Sequence, residues 1–125
     1  MTKRILVVED QEDNRRIIRD LLASAGYQTI EATDGETGVR LAETERPDLI
    51  LMDIQLPVLD GHEATRRIKA NPDLRPIPII VVTSYALSGD DVKAMAAGCD
   101  AYVAKPFSPR QLLSKIRELL PETKG

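Results

Sequence analysis

Five short apolar runs alternate with amphipathic segments along this chain, and this alternation restricts its fold more than any other feature. The runs are Ile5–Val8, the weaker Thr29–Ala32, Leu49–Met52, Ile79–Val82 and Ala101–Ala104. Runs this short and this apolar are typical of strands that are buried on both faces of a parallel sheet. The alternation therefore predicts an α/β fold with helices on both sides of the sheet.

The segments between the runs have the spacing and the end signals of helices. The first predicted helix ends at Gly26. Its apolar residues share one face; they are Ile17, Ile18, Leu21, Leu22 and Ala25. The other predicted helices are a short one around Val39 and Ala42, His62–Ala70, Ser88–Gly98, and one that begins at Ser108-Pro109 and ends before Pro121. Five successive βα units imply right-handed crossovers between parallel strands.

Length and charge restrict the class of protein further. The 125 residues have room for one domain, so we expect residues 1–125 to form a single domain with no output domain. A net charge of -3 argues against a nucleic-acid-binding module. The single cysteine, Cys99, permits no internal disulfide, and no apolar run is long enough to cross a membrane. A cytoplasmic protein with no membrane contact is therefore expected.

Polar side chains stand where four of the five predicted strands end. Glu9 and Asp10 follow the first strand, Asp53 the third, Thr83 the fourth and Lys105 the fifth. The carboxyl ends of parallel strands share one edge of the sheet, and ligands bind outside that edge. We therefore expect these side chains to form one site.

The residue types at this edge favour phosphoryl chemistry. Three converging carboxylates would repel one another, and Mg²⁺, which prefers oxygen ligands, would offset their charge. A carboxylate can also accept a phosphoryl group as a nucleophile. The metal, the ammonium of Lys105 and the hydroxyl of Thr83 would then stabilise the charge on the phosphoryl oxygens.

Four segments of the chain resemble the receiver domain of bacterial two-component response regulators, the CheY-like fold. They are ILVVED at 5–10, PDLILMDIQLPVLDG at 47–61, IIVVTSYA at 79–86 and AGCDAYVAKPF at 97–107. The resemblance implies a doubly wound five-stranded parallel sheet, in the order 2-1-3-4-5, with five helices. The segments MDIQLP and VVTSYALSGDD are also similar to those of DivK-like single-domain regulators and of receivers partnered with bacterial photoreceptor kinases.

The resemblance assigns the acceptor and the metal ligands. Asp53 matches the phosphoacceptor and also contacts the metal. Asp10 matches the main ligand of Mg²⁺, or of Mn²⁺ in its place, and Glu9 is expected to act through a metal-bound water. The backbone carbonyl of Gln55 matches a further ligand.

The resemblance also assigns the switch residues. Thr83 matches the hydroxyl that moves onto the phosphoryl group, and Lys105 matches the lysine that pairs with it. Family members have a cis bond before the proline that matches Pro106. Tyr102 matches an aromatic residue whose ring turns inward on activation.

Two positions that vary in this family and tune the phosphoryl lifetime are Gln55 and Tyr85. Tyr85 would screen the hydrolytic water, so we predict slow loss of the phosphoryl group.

The function implied by the resemblance is a phosphorylation-dependent switch rather than an enzyme, although it would promote its own phosphorylation and dephosphorylation. The phosphoryl donor would be a phosphohistidine on a histidine kinase or a histidine phosphotransfer protein. The face formed by the fourth helix, fifth strand and fifth helix would then change its contact with a downstream effector protein. We expect a monomer or a weak dimer.

Three alternatives differ from this interpretation. A phosphatase of the haloacid-dehalogenase type also uses an Asp at a strand end, but it needs a second Asp where this chain has Gln55. A flavodoxin-like flavin protein needs Ser and Thr in its first loop, whereas this loop is acidic from Glu9 to Asp13. A receiver that serves only as a phosphate sink, with no effector, stays open.

Overall fold

Helices and strands alternate in the structure as the sequence predicts. A computed structural model of the chain describes residues 2–83, 95–105 and 107–120. In chain order its elements are β1 (Arg4–Val8), α1 (Glu12–Ser24), β2 (Gln28–Ala32), α2 (Gly35–Glu45), β3 (Leu49–Asp53), α3 (Gly61–Ala70), β4 (Ile79–Thr83), β5 (Ala101–Ala104) and a C-terminal helix (Pro109–Leu119). Residues 95–97 are helical as well and end the fourth predicted helix, whose predicted start at Ser88 lies outside the described residues.

The five strands form one parallel sheet in the order β2-β1-β3-β4-β5, which confirms the predicted fold. All residues of β3 and β4 are buried, whereas β2 and β5, the two edge strands, are partly exposed. The strands whose apolar residues do not alternate with polar ones are therefore those that are covered on both faces of the sheet. Asp53 extends β3 one residue beyond the predicted run and pairs in register with Val82.

Side chains that accept backbone N–H groups start three of the helices. Asp34 accepts the N–H of Thr37 at the start of α2, and Asp60 accepts that of Glu63 at the start of α3. Ser108 accepts the N–H of Gln111, which confirms the predicted start of the C-terminal helix. Each such bond satisfies one of the N–H groups that a helix leaves without a partner at its first turn.

Two apolar cores lie on opposite faces of the sheet. Helices α2 and α3 cover one face through Ala42, Ala64 and Ile68. Helix α1 and the C-terminal helix cover the other. The predicted apolar face of α1 is wrong in one residue, since Ile17 is 60% exposed while Ile18 is buried. Successive helix residues are about 100° apart, which carries Ile17 out of the stripe that buries Ile18 and Leu22.

A helix that crosses a membrane must be both long and apolar. Among the residues that the structure describes, none belongs to a helix with the length and apolar character of a membrane span.

Candidate functional site

The order of the strands brings the ends of β1 and β3 side by side. After β1 the chain forms β2 on one side of it, and then returns to form β3 on the other. Strand order reverses at this point, and the reversal leaves a crevice outside the carboxyl ends of the two strands. Glu9 and Asp10 follow β1 at this crevice, and Asp53 ends β3 beside them.

Three carboxylates meet at the crevice. Glu9, Asp10 and Asp53 each offer an oxygen, and these oxygens all lie within 4.8 Å of one another. Glu9 is only 2% exposed and Asp53 is also buried, whereas Asp10 is half-buried. Carboxylates that are close and shielded from water repel one another strongly unless cations offset their charge.

Lys105 supplies a cation to this cluster. Its Nζ donates hydrogen bonds to Oε1 of Glu9 at 3.0 Å and to Oδ2 of Asp53 at 3.4 Å. Its backbone N–H donates to the carbonyl of Thr83 at 2.7 Å, which fixes the end of β5 against β4. Burial alone would lower the pKa of Lys105, but the attraction of Asp53 and Glu9 outweighs it, so the pKa is raised. Lys105 is therefore fully charged at neutral pH.

The end of β3 is packed against the first turn of α3. The N–H of Gly61 donates to the carbonyl of Ile54 at 2.9 Å. A Cβ at Gly61 would overlap with the carbonyl oxygen of Asp53 and would lie 2.7 Å from Cα of Ile54. A glycine is thus required here because backbone, and not a flexible side chain, occupies the space.

Sequence analysis missed the role of Arg15 in holding the acidic loop. The Arg15 guanidinium donates to the carbonyls of Glu9 and Asp10, and it also pairs with Glu31 on β2. A charged residue in the first turn of a helix usually lies in solvent, so the sequence around Arg15 carried no signal for these contacts. The Glu9 carboxylate accepts a further bond from the N–H of Gln11 at 3.1 Å.

The other predicted site residues lie around this cluster. Thr83 ends β4 and is 1% exposed. Gln55 is exposed in the loop after β3, and its carbonyl stays a predicted metal ligand. Tyr102, on β5 in register with Val81 of β4, is 38% exposed. Tyr85 and Pro106 lie outside the described residues, so the lifetime role of Tyr85 and the cis bond before Pro106 stay predictions.

The donor set fits a hard divalent cation. Its members are all carboxylate oxygens, which Mg²⁺ prefers, and they are close enough to share one ion. Among the described residues, three carboxylates face one ammonium group, that of Lys105, so negative charge remains at the crevice. Glu9, Asp10 and Asp53 are therefore the residues that would hold the metal.

Comparison with known protein families supports the same interpretation. The sequence pattern of the response regulator receiver domain matches residues 5–117, which is most of the chain. The chain belongs to the response regulator receiver family. Receivers of this family are response regulator modules of bacterial two-component systems, and they act as phosphoacceptor switches.

Two response regulators with similar sequences support this family assignment. The chain is 43% identical over 120 residues to the polar-differentiation response regulators DivK of Brucella ovis and Brucella anthropi. The matched region covers 96% of this chain and 98% of each relative. The resemblance to DivK-like regulators is thereby confirmed at the level of sequence.

Solved receiver structures have the same fold. The receiver domain of a sensor histidine kinase from Pseudomonas aeruginosa PAO1, with a magnesium ion coordinated in its active site cleft, is 42% identical. It superposes with a TM-score of 0.92 over 98% of this chain and 100% of that one. A chemotaxis response regulator of Vibrio cholerae, 26% identical, gives a TM-score of 0.89 over 95% of this chain and 99% of the other. The CheY-like fold is therefore confirmed.

Proposed function

We propose that this receiver is a switch in which Asp53 accepts a phosphoryl group in the presence of Mg²⁺. The observation that carries the proposal is the cluster of Glu9, Asp10 and Asp53, of which Glu9 and Asp53 are buried, with Lys105 bonded to these two. Asp53 ends a central strand, so its carboxylate is presented at the crevice on a rigid support. The magnesium ion described for the Pseudomonas aeruginosa receiver favours the same ion here.

Phosphoryl transfer would proceed from a phosphohistidine on a histidine kinase or a histidine phosphotransfer protein. A carboxylate oxygen of Asp53 attacks phosphorus, a P–O bond forms, and the P–N bond to the donor imidazole breaks. The imidazole leaves with the electron pair of that bond and takes up a proton. Mg²⁺, or Mn²⁺ in its place, would act as a Lewis acid and stabilise the negative charge on the phosphoryl oxygens.

Two residues next to Asp53 would respond to the new charge. The Lys105 ammonium, which bonds Glu9 and Asp53, would pair with a phosphoryl oxygen. The Thr83 hydroxyl would move onto the phosphoryl group. Tyr102, partly exposed on the edge strand β5, would then turn inward. The face that includes Tyr102, Met95 and the C-terminal helix would thereby change its contact with an effector protein.

The remaining parts of the proposal follow from the receiver assignment. We propose that residues 1–125 form one receiver domain, active in the cytoplasm as a monomer or a weak dimer. Gln55 and Tyr85 would set a slow loss of the phosphoryl group. A half-life of seconds in the presence of Mg²⁺ would contradict that last part.

The decisive experiment is an intact-mass measurement after incubation with acetyl phosphate and Mg²⁺. The wild-type chain should gain one phosphoryl group, and the Asp53→Asn variant should gain none. Asp13→Asn is the matched control, because Asp13 is an exposed carboxylate on α1 that pairs with Arg16 and is not a member of the cluster. It should gain the phosphoryl group as wild type does.

Two outcomes would refute the assignment of Asp53. One is no gain of mass in a folded wild-type protein with Mg²⁺ and acetyl phosphate present. The other is a gain that survives in Asp53→Asn, which would mean that a different residue accepts the phosphoryl group. Omission of Mg²⁺ should abolish the gain in wild type, since the carboxylate cluster would then repel the incoming phosphate.

A further inference from the structure

Arg15 reaches from the first turn of α1 to the backbone of the acidic loop. One nitrogen of its guanidinium, Nη1, donates to the carbonyl of Glu9 at 3.0 Å and to that of Asp10 at 3.2 Å. The side chain is only 15% exposed. Side chains on a helix lean towards its N-terminus, which directs Arg15 over the loop that precedes α1.

The guanidinium is itself held from the neighbouring strand. Its Nε donates to Oε1 of Glu31 on β2 at 3.2 Å, and the other oxygen of Glu31 accepts from Arg19 at 2.8 Å. Glu31 therefore bridges two arginines of α1. The loop is also tied to β2 by the backbone bond from the N–H of Glu9 to the carbonyl of Ala32.

These contacts act on the backbone of two consecutive residues whose side chains belong to the metal cluster. Glu9 and Asp10 lie beyond the end of β1, so the bond from Arg15 gives the two carbonyls a partner where the strand has ended. With both carbonyls fixed, the directions of the two side chains are restricted as well. Residues behind the ligands of a metal site commonly set its affinity in this way.

We propose that Arg15, held by Glu31, is a positioning residue that keeps Glu9 and Asp10 in the geometry that binds Mg²⁺. This inference depends on the proposed function, in that it takes the carboxylate cluster to be a metal site. The inference predicts that loss of Arg15 lowers the affinity for Mg²⁺, which is opposite to the effect of the lost charge alone. Loss of a cation near the site would by itself strengthen Mg²⁺ binding, whereas loss of a positioning contact weakens it.

The experiment is a titration of each folded variant with Mg²⁺ alone, followed by the backbone amide resonance of Gln11. We expect Arg15→Gln to raise the dissociation constant for Mg²⁺ about tenfold. Glu31→Gln, which leaves Arg15 in place but removes its anionic partner, should raise it by a smaller factor. Arg15→Lys keeps the charge but lacks the planar guanidinium, so binding should stay weaker than in wild type.

Arg16→Gln is the matched control. It removes the same charge from the same turn of α1, but Arg16 is exposed and pairs with Asp13. Its dissociation constant should equal that of wild type or fall slightly. If Arg15→Gln or Glu31→Gln binds Mg²⁺ as tightly as wild type or more tightly, the positioning role is refuted. If wild type itself binds no Mg²⁺, the metal site of the proposed function fails instead.

Discussion

The ammonium nitrogen of Lys105 lies 3.0 Å from a carboxylate oxygen of Glu9, although β1 and β5 are separated in the sheet by β3 and β4. Lys105 therefore extends across the crevice and bonds to a residue beyond the neighbouring strand. It reaches Asp53 as well, at 3.4 Å. One side chain thus connects the ends of three strands, and the charge balance of the crevice depends on it.

Removal of the Lys105 ammonium should lower the stability of the metal-free protein and raise its affinity for Mg²⁺. We expect Lys105→Met to lower the free energy of unfolding by about 1–3 kcal/mol, because two buried carboxylates lose a charged partner. The same variant should bind Mg²⁺ more tightly, since the negative charge of the cluster is then less compensated. Urea unfolding and a Mg²⁺ titration measure the two effects. Weaker Mg²⁺ binding would contradict this electrostatic account.

The stabilising effect of Lys105 should disappear at high pH. Burial opposes its charge, but Asp53 and Glu9 raise its pKa above the ordinary lysine value of 10.5. The folded state thus holds the proton more tightly than the unfolded chain, so this contribution is complete below 10.5 and is lost as pH rises through the folded value. Without Mg²⁺, the difference in unfolding free energy between wild type and Lys105→Met should be constant from about pH 7 to about pH 9 and shrink above about pH 10.5. A difference that grows with pH would contradict it.

Lys69 should contribute more to stability than an ordinary surface lysine. Its Nζ donates to the carbonyls of Arg75 and Ile77 and to the carboxylate of Asp100, all within 2.9 Å. We expect Lys69→Met to lower the free energy of unfolding by about 1–3 kcal/mol, because three acceptors lose a charged donor whose own side chain is only 14% exposed. Lys115→Met is the control, since the Lys115 side chain is 42% exposed and pairs with Glu118 at 3.6 Å. Its effect should stay within about 0.5 kcal/mol, and equal losses in both variants would refute the prediction.

Gly61→Ala should directly perturb Asp53, the proposed phosphoacceptor. A methyl group would overlap with the carbonyl of Asp53, so β3 or α3 must shift. We expect a loss of about 2 kcal/mol or more in unfolding free energy, together with slower phosphorylation by acetyl phosphate. Gly38→Ala is the comparison, because the nearest atoms to its methyl group would belong to the Val8 side chain, at 2.9 Å, and not to backbone. A Gly61→Ala protein as stable and as reactive as wild type would overturn this argument.

Thr65 should be replaceable by valine with a gain in stability. The residue is fully buried in α3, and its hydroxyl has no hydrogen-bond partner in the part of the chain that the structure describes. Thr65→Val keeps the shape and removes the unsatisfied hydroxyl, so the free energy of unfolding should rise by about 1 kcal/mol. The Thr37 hydroxyl donates to Asp34 at 3.0 Å, so Thr37→Val should be destabilising. Destabilisation of both variants to the same extent would show that the Thr65 hydroxyl is bonded in solution.

The strands and the carboxylate cluster could be predicted because both depend on which residue types follow one another within a short segment. A polar residue after an apolar run marks a strand end, so Asp53 and Lys105 could be placed at one edge of a parallel sheet. Register then brought them together with no further information. The family resemblance added the individual roles of these residues.

What the sequence did not predict depends on pairs that only the folded chain brings together. Arg15 and Glu31 are 16 positions apart, and Lys69 and Asp100 are 31 apart. Each of these residues resembles an ordinary surface charge in its own segment. The prediction that Ile17 lies on the buried face of α1 was wrong for a different reason. The helical spacing left two neighbouring residues as candidates for one apolar face.

The place of each strand in the sheet divides the site into a fixed half and a movable half. β1 and β3 each have neighbours on both sides, so a shift of Asp53 would disturb two ladders of backbone hydrogen bonds. β5 has a neighbour on one side, so Lys105 and Tyr102 can change position while a single ladder adjusts. The proposed acceptor, Asp53, thus lies in the least deformable part of the sheet. Two of the side chains proposed to respond, Tyr102 on β5 and Lys105 directly after it, lie at an edge of the sheet, where a small displacement costs the least.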